Sequence, residues 1–408
     1  MPNYFKSRNS GFRLLISGVL GAVMTLAMPP IGAFYILLLC VPGLIWLLRQ
    51  SETKTNAFLT GWAFGAGYFI CGFYWISFAL FVDLGHFWWV LPFSLIAGPA
   101  AMGLYYGFIP LLAWRYRKND TAHAVIIVTA WALMEWIRGH ALTGFPWNLP
   151  GYTWHYLLPV MQVNAVIGIY GLSLLTLLWA AIPALPRKFT PVLIASFVVI
   201  GMSGMARLYL HPTETFGNNT VRVVQPNISQ VLKMDPEQEW HNLEKNLEIS
   251  AAPAAKPVTF VVWPEVSLTA DLEHMPVIAR MISEKMPKGS VSLIGTIHTE
   301  DEPTAPKFFN SLEVLDKKAE VLAIYSKHHL VPFGEYIPFR NILKLTPAAA
   351  GIAVIGDFTP GAGVSTLDIG KLPKPSPLIC YEGIFPGDVA RRDNRPDWLV
   401  NITNDAWY

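Results

Sequence analysis

Nearly all the apolar surplus of this chain lies before residue 210, and that asymmetry decides what the two halves can become. Hydrophobic residues make up 53% of the 408 and charged residues only 14%, which is too apolar for an ordinary soluble domain. A helix that crosses a bilayer needs about 20 mostly apolar residues. Seven segments meet that test, near residues 12–29, 31–48, 57–82, 87–114, 122–138, 158–185 and 190–208. Met28-Pro29-Pro30-Ile31-Gly32 breaks the first pair and predicts a helical hairpin. The expectation is a transmembrane domain of about seven helices over residues 1–210, then a more polar domain.

The basic residues give the first domain a direction. Lys6, Arg8, Arg13, Arg49, Lys54, Arg115, Arg117, Lys118, Arg187 and Lys188 fall before the first helix or after the second, fourth and sixth. The alternate loops hold little more than Arg138. By the positive-inside rule the N-terminus is cytoplasmic, and an odd number of crossings delivers the polar domain to the outer side. The basic start and the Leu14-Leu15-Ile16 core also suit a cleaved signal peptide, but no small-x-small site precedes Met28-Pro29-Pro30. A net charge of +2 gives no reason to expect a nucleic-acid partner.

Within the fifth helix, Trp131, Glu135 and Arg138 share one helical face, and Gly144-Phe145-Pro146-Trp147-Asn148-Leu149-Pro150-Gly151-Tyr152 follows in the loop after it. Such a run reads as an interfacial aromatic belt with an i,i+3 ion pair, or as a lipid-facing wall beside a site, with Phe145 and Trp147 as its candidates. Three cysteines cannot make a disulfide framework. Cys40 and Cys71 sit in apolar runs and read as small buried hydrophobes, which leaves Cys380 as the only cysteine of the polar half.

From Thr220 the pattern turns to strands at 220–227, 258–265, 290–296, 310–316, 320–327, 376–382 and 397–404, with helices at 236–251 and 275–286. Buried strands alternating with helices and hairpins indicate a layered α/β or α+β sheet. Reactive groups in such sheets sit just past strand ends, and three ends carry chemistry: Glu265 after "VVWP", Lys327 after "AIYS" and Cys380 after "PLI". A carboxylate can make a thiolate, the thiolate can attack a carbonyl, and an ammonium with a backbone N–H can hold the oxyanion. His328 and His329 follow Lys327 but point to opposite faces of a strand and lack ligands at metal spacing, so no metal is expected. Cys-His chemistry through His329 is the rival reading.

At these residues the chain resembles a known family. "WPE" at Glu265, "SKHHLVPFGEYIPF" (326–339), "ICYEGIFP" (379–386) and "NITNDAWY" (401–408) resemble the nitrilase, or carbon-nitrogen hydrolase, superfamily with its Glu-Lys-Cys triad. Together with the preceding helices and "GFPWNLPGY" (144–152), they resemble its membrane-bound apolipoprotein N-acyltransferase family. That resemblance implies a multi-helix transmembrane bundle followed by an α/β nitrilase-like αββα sandwich domain over residues 219–408, periplasmic on a multi-pass protein of the bacterial inner membrane. It implies acyl transfer from a phospholipid, typically phosphatidylethanolamine, through a Cys380 thioester to the α-amino group of the S-diacylglyceryl cysteine of an apolipoprotein.

Glu265 then acts as base, Lys327 stabilises the tetrahedral intermediate, and Glu335 and Glu382 support the site; no cofactor is implied. Tyr336 and Met234 are further lipid-facing candidates, although Met234 stands where the family often has Trp after the lysine. Relatives continue beyond "NDAWY" with further sandwich elements and an eighth spanning helix, so the chain is expected to lack its C-terminal end. The alternative enzyme is a membrane-tethered amidase or nitrilase-type hydrolase; the alternative outside enzymes is a transporter or receptor that merely binds a ligand.

Overall fold

The structure, a computed structural model, describes residues 10–215, 217–233, 235–303, 306–340 and 357–407. The chain divides into two compact units, with the boundary between Glu214 and Thr215.

Among the described residues of the helical unit, four helices are long and apolar enough to cross a membrane: Ser10–Ala27, Lys54–Asp83, Phe93–Tyr116 and Arg187–Leu210. Two shorter apolar helices, Phe34–Arg49 and Asn164–Ala180, and the 21-residue helix Asp120–His140 occupy the other three expected segments. Length and hydropathy thus single out four of seven, for local reasons. The Pro-Pro-Gly break shortens the second segment, Gly168 at φ +66° interrupts the sixth, and Glu135 and Arg138 dilute the fifth.

The core of this unit is aromatic. Phe64, Tyr68, Tyr106 and Trp131 are buried, and Trp131 meets Phe64 and Tyr106 edge-on at centroid distances of 5.4 and 5.1 Å. The last helix is the reverse: Val192, Ile194, Val198, Val199, Met202 and Met205 all stand exposed, a surface that suits hydrocarbon rather than water. Cys40 is buried as expected, but Cys71 is exposed. An apolar run in such a unit faces lipid as readily as protein, so hydrophobicity there does not imply burial.

The α/β unit is built on a five-stranded sheet in the order β1-β2-β3-β4-β5: β1 Val221–Val223, β2 Phe260–Val262, β3 Val291–Glu300, β4 Lys307–Leu315 and β5 Val321–Ser326. A second sheet pairs β6, Pro375–Ile379, parallel with β7, Trp398–Ile402. Alternation along β2 assigns the layers. Val261 and Trp263 pack with Leu243, Leu247 and Ile282 of the helices Glu239–Ala251 and Pro276–Lys285. Phe260 and Val262 face the other way, joining Leu293, Leu312 and Val314 against Ile379, Val400 and Ile402 of the second sheet. Helices, first sheet and second sheet therefore stack in that order, the first three layers of the expected αββα sandwich.

Candidate active site

Three strand ends meet in the α/β unit. Glu265 lies just past β2, Lys327 directly follows β5, and Cys380 directly follows β6. β3 is parallel to β2, while β4 is antiparallel to β3 and β5 to β4; β2 and β5 therefore end at the same edge. Glu265 can approach closely because β3 carries Gly295 beneath it, where a Cβ would come within 2.2 Å of the Pro264 carbonyl oxygen and 2.8 Å of the Glu265 Cα.

Lys327 is 1% and Glu265 6% exposed. Nζ of Lys327 stands 3.5 Å from Oε1 of Glu265 and donates at 2.9 Å to Oε1 of Glu335. Asn310 of β4 donates from Nδ2 to Oε1 of both carboxylates, each at 2.8 Å. Their other oxygens accept backbone N–H groups, from Asn404 to Glu265 at 3.0 Å and from Val331 to Glu335 at 2.8 Å. One ammonium is thus bracketed by two fixed carboxylates. Burial works against the Lys327 charge, but Glu265, Glu335 and Cys380 outweigh it and hold the pKa above the ordinary lysine value.

Cys380 opens a short 3-10 turn, Cys380–Ile384, with φ at +57°. Such a conformation costs a non-glycine residue about 1–3 kcal/mol, and it persists only when its surroundings over-determine it. Here the Asn401 side chain donates to the Cys380 carbonyl at 3.2 Å, and Glu382 fixes the turn from inside. Burial and then the Glu265 charge push the thiol pKa up to about 11, against the pull of Lys327 and a hydrogen bond with Thr403. Near neutral pH the sulfur is therefore a thiol, and it needs a base. Lys233 donates from Nζ to the Glu265 carbonyl at 2.6 Å, and burial lowers its pKa to about 8 although Glu265 opposes the shift. A cavity of about 960 Å³ borders the cluster through Lys233, Val266, Thr403 and Asn404.

Two families match this chain: the apolipoprotein N-acyltransferase N-terminal domain over residues 20–182 and carbon-nitrogen hydrolase over residues 220–408. The apolipoprotein N-acyltransferase of Rhodopseudomonas palustris is 34% identical across 97% of this chain and 78% of its own. That of Allorhizobium ampelinum is 35% identical across 97% and 79%, and that of Caulobacter vibrioides 35% across 96% and 76%. The chain belongs to the apolipoprotein N-acyltransferase family. An amidase of the nitrilase superfamily from Nesterenkonia AN1 superimposes at a TM-score of 0.31 and 18% identity over 47% of this chain and 67% of its own, a likeness too slight to argue from.

The remaining expected residues of this N-acyltransferase-family chain are placed as follows. Glu335 lies in the cluster, while Glu382 is turned into the core as a clip. Its Oε1 accepts the N–H groups of His328 and His329 at 2.9 and 3.1 Å and pairs with His328 Nδ1 at 2.8 Å. Its Oε2 accepts the Tyr325 hydroxyl and the Ile379 N–H, both at 2.8 Å. The clip binds the chain beside Lys327 to the chain beside Cys380. His329 stacks on Phe385 at a centroid distance of 3.6 Å. Tyr336 is half-buried, with its carbonyl accepting the Phe333 N–H, and Met234 lies outside the described residues.

In the helical unit, Phe145 and Trp147 are half-buried against the core, stacked 6.2 Å apart, with Trp75 5.2 Å from Trp147. Their carbonyls accept Arg138 guanidinium N–H groups, and Arg138 is buried in an ion pair with Glu135. Packing thus accounts for much of the surface expected to face lipid. Sequence reasoning missed Asn310, one of three buried polar residues in β4 with Ser311 and Glu313, and Thr403 and Asn404, whose contacts arise only on folding.

Proposed function

We propose that this membrane protein transfers an acyl chain from a phospholipid, such as phosphatidylethanolamine, through Cys380 to the α-amino group of a diacylglyceryl-cysteine apolipoprotein. Glu265 takes the thiol proton as sulfur attacks the ester carbonyl. Lys327, and a backbone N–H of the Cys380–Ile384 turn, carry the oxyanion of the tetrahedral intermediate. Collapse breaks the acyl–oxygen bond, and the lysophospholipid alkoxide leaves with the proton held by Glu265. In the second half the acceptor amine attacks the thioester, its proton passes to Glu265, and the sulfur departs and is reprotonated. Glu335 and Asn310 position the other two charges throughout.

The single observation that carries this reading is the buried cluster in which Lys327 stands between Glu265 and Glu335 beside a strained cysteine. Family membership supplies the acyl-transfer class. Both substrates are membrane-anchored, so a site carried on a membrane protein replaces a three-dimensional search with lateral diffusion. The loop charges, read with all seven apolar segments crossing, support a cytoplasmic N-terminus and an outer-face position at the inner membrane for the segment after residue 210.

The test is intact-protein mass spectrometry of the chain with phosphatidylethanolamine, followed by a diacylglyceryl-cysteine peptide. A thioester-linked acyl adduct should appear on Cys380, vanish in Cys380→Ser, and be consumed as N-acyl peptide forms. Free fatty acid in place of N-acyl peptide means a hydrolase and overturns the transfer step. An undiminished adduct in Cys380→Ser overturns the nucleophile.

A further inference from the structure

One region of the α/β unit buries a second set of titratable side chains that the acyl-transfer cluster does not use. Asp271 and His274 belong to the loop before the helix Pro276–Lys285, His298 to β3 and Glu313 to β4. Asp271, His298 and Glu313 are 7%, 8% and 0% exposed. Nδ1 of His298 stands 2.9 Å from Oδ2 of Asp271 and 3.9 Å from Oε1 of Glu313. Nδ1 of His274 is 3.0 Å from the same Asp271 oxygen. One ligand atom from each of Asp271, His298 and Glu313 lies within 4.8 Å of the other two.

The orientation of His298 separates this cluster from a set of hydrogen bonds. Its buried Nδ1 has no hydrogen-bond partner among the described residues, although a carboxylate oxygen is only 2.9 Å away. A buried polar nitrogen left unpaired is costly, whereas a nitrogen and carboxylate oxygens gathered round one point can share a cation. Metal–ligand bonds of about 2.0–2.2 Å set neighbouring ligand atoms about 3.4 Å apart at the tetrahedral angle, and the observed 2.9 and 3.9 Å bracket that spacing.

The carboxylates are also fixed by neighbouring donors. The Thr296 hydroxyl and the Leu272 N–H donate to the two oxygens of Glu313 at 2.9 and 3.1 Å, and the Thr299 N–H donates to Asp271 Oδ2 at 2.8 Å. Such outer hydrogen bonds orient ligands in protein metal sites. Imidazole favours zinc-like cations over magnesium or calcium.

We propose that Asp271, His298 and Glu313 bind one divalent cation of the zinc class, while the more exposed His274 orients Asp271 from outside the ligand set through its hydrogen bond. The ion does not enter the reaction. It ties the chain that follows Glu265, already bonded to Gly295 through Ser267 and Leu268, to β3 and β4.

The full chain in detergent, in a Cys380→Ser background so that no site thiol competes, is stripped with chelator and titrated with ZnCl₂ and, separately, MgCl₂. The expected result is one tightly bound Zn²⁺ per chain, a raised unfolding midpoint, and an X-ray absorption spectrum of nitrogen and oxygen scatterers with an imidazole signature; Mg²⁺ should do none of this. His298→Ala combined with Glu313→Gln should lower Zn²⁺ affinity by about 100-fold or more, and the exposed His274→Gln, which leaves the buried groups intact, by roughly 10-fold. Absence of stoichiometric Zn²⁺ binding overturns the proposal, whatever the variants do, and so does an affinity that His274→Gln leaves unchanged.

Discussion

At the scale of single residues, Glu265 is predicted to do two opposed things to the same sulfur. Its charge makes the thiolate harder to form at rest, one reason the Cys380 pKa stands at about 11, while its oxygens accept the proton once a carbonyl is under attack. Glu265→Gln should therefore lower the thiol pKa and speed alkylation by iodoacetamide near pH 9, while slowing acyl-adduct formation by roughly 10²- to 10⁴-fold, the range for loss of a general base. Alkylation and acylation rates measured on the same variant check this; a parallel fall in both would mean a collapsed site. The reactive residues were legible in the sequence because each ends an apolar strand. Asn310 was not, because one polar side chain in a strand does not reveal which two carboxylates it will bridge.

At the scale of elements, the clip between the end of β5 and the end of β6 should give the α/β unit a pH-dependent stability. His328 has its pKa raised above 6.5 by its hydrogen bond to Glu382, against burial. Burial would raise Glu382, but His328 and the N–H groups of Ile379 and His329 hold it below 4.5. The His328 contribution is therefore complete below its unfolded pKa and lost as pH rises through the raised value. The Glu382 contribution is complete above its own unfolded pKa and lost as pH falls through the lowered one. The unfolding midpoint of the α/β unit should be highest between about pH 4.5 and 6.5 and fall on both sides. His328→Gln should flatten the alkaline side; an alkaline fall as steep as in the parent chain would refute the pairing. Strand positions and layers followed from period-2 alternation, whereas this clip joins residues 54 apart in sequence and leaves no local pattern. The same holds for the candidate cation cluster, since its ligands come from a loop and two strands and no run of residues shows ligand spacing.

At the scale of the whole molecule, the chain sets a buried ion pair inside an apolar helical unit and hangs a loop on it. Glu135→Gln leaves Arg138 charged and buried without its counter-ion, which costs about 3–5 kcal/mol and should loosen the carbonyl contacts that hold residues 145–147. Lower thermal stability in detergent and faster proteolysis within 144–152 are the expected readouts. The double variant Glu135→Gln with Arg138→Met should recover part of the loss, and no recovery would mean the pair is not the cause. The sequence by itself determined the division into an apolar and a polar half, the strands of the second half, and the reactive types at their ends. Those follow from local composition and periodicity, which water and lipid read directly. Only the tertiary structure decided which charges share one buried space and which aromatic rings pack inward. Such outcomes depend on neighbours brought together from distant parts of the chain, and the energy of a buried charge is set by those neighbours and not by its own stretch of sequence.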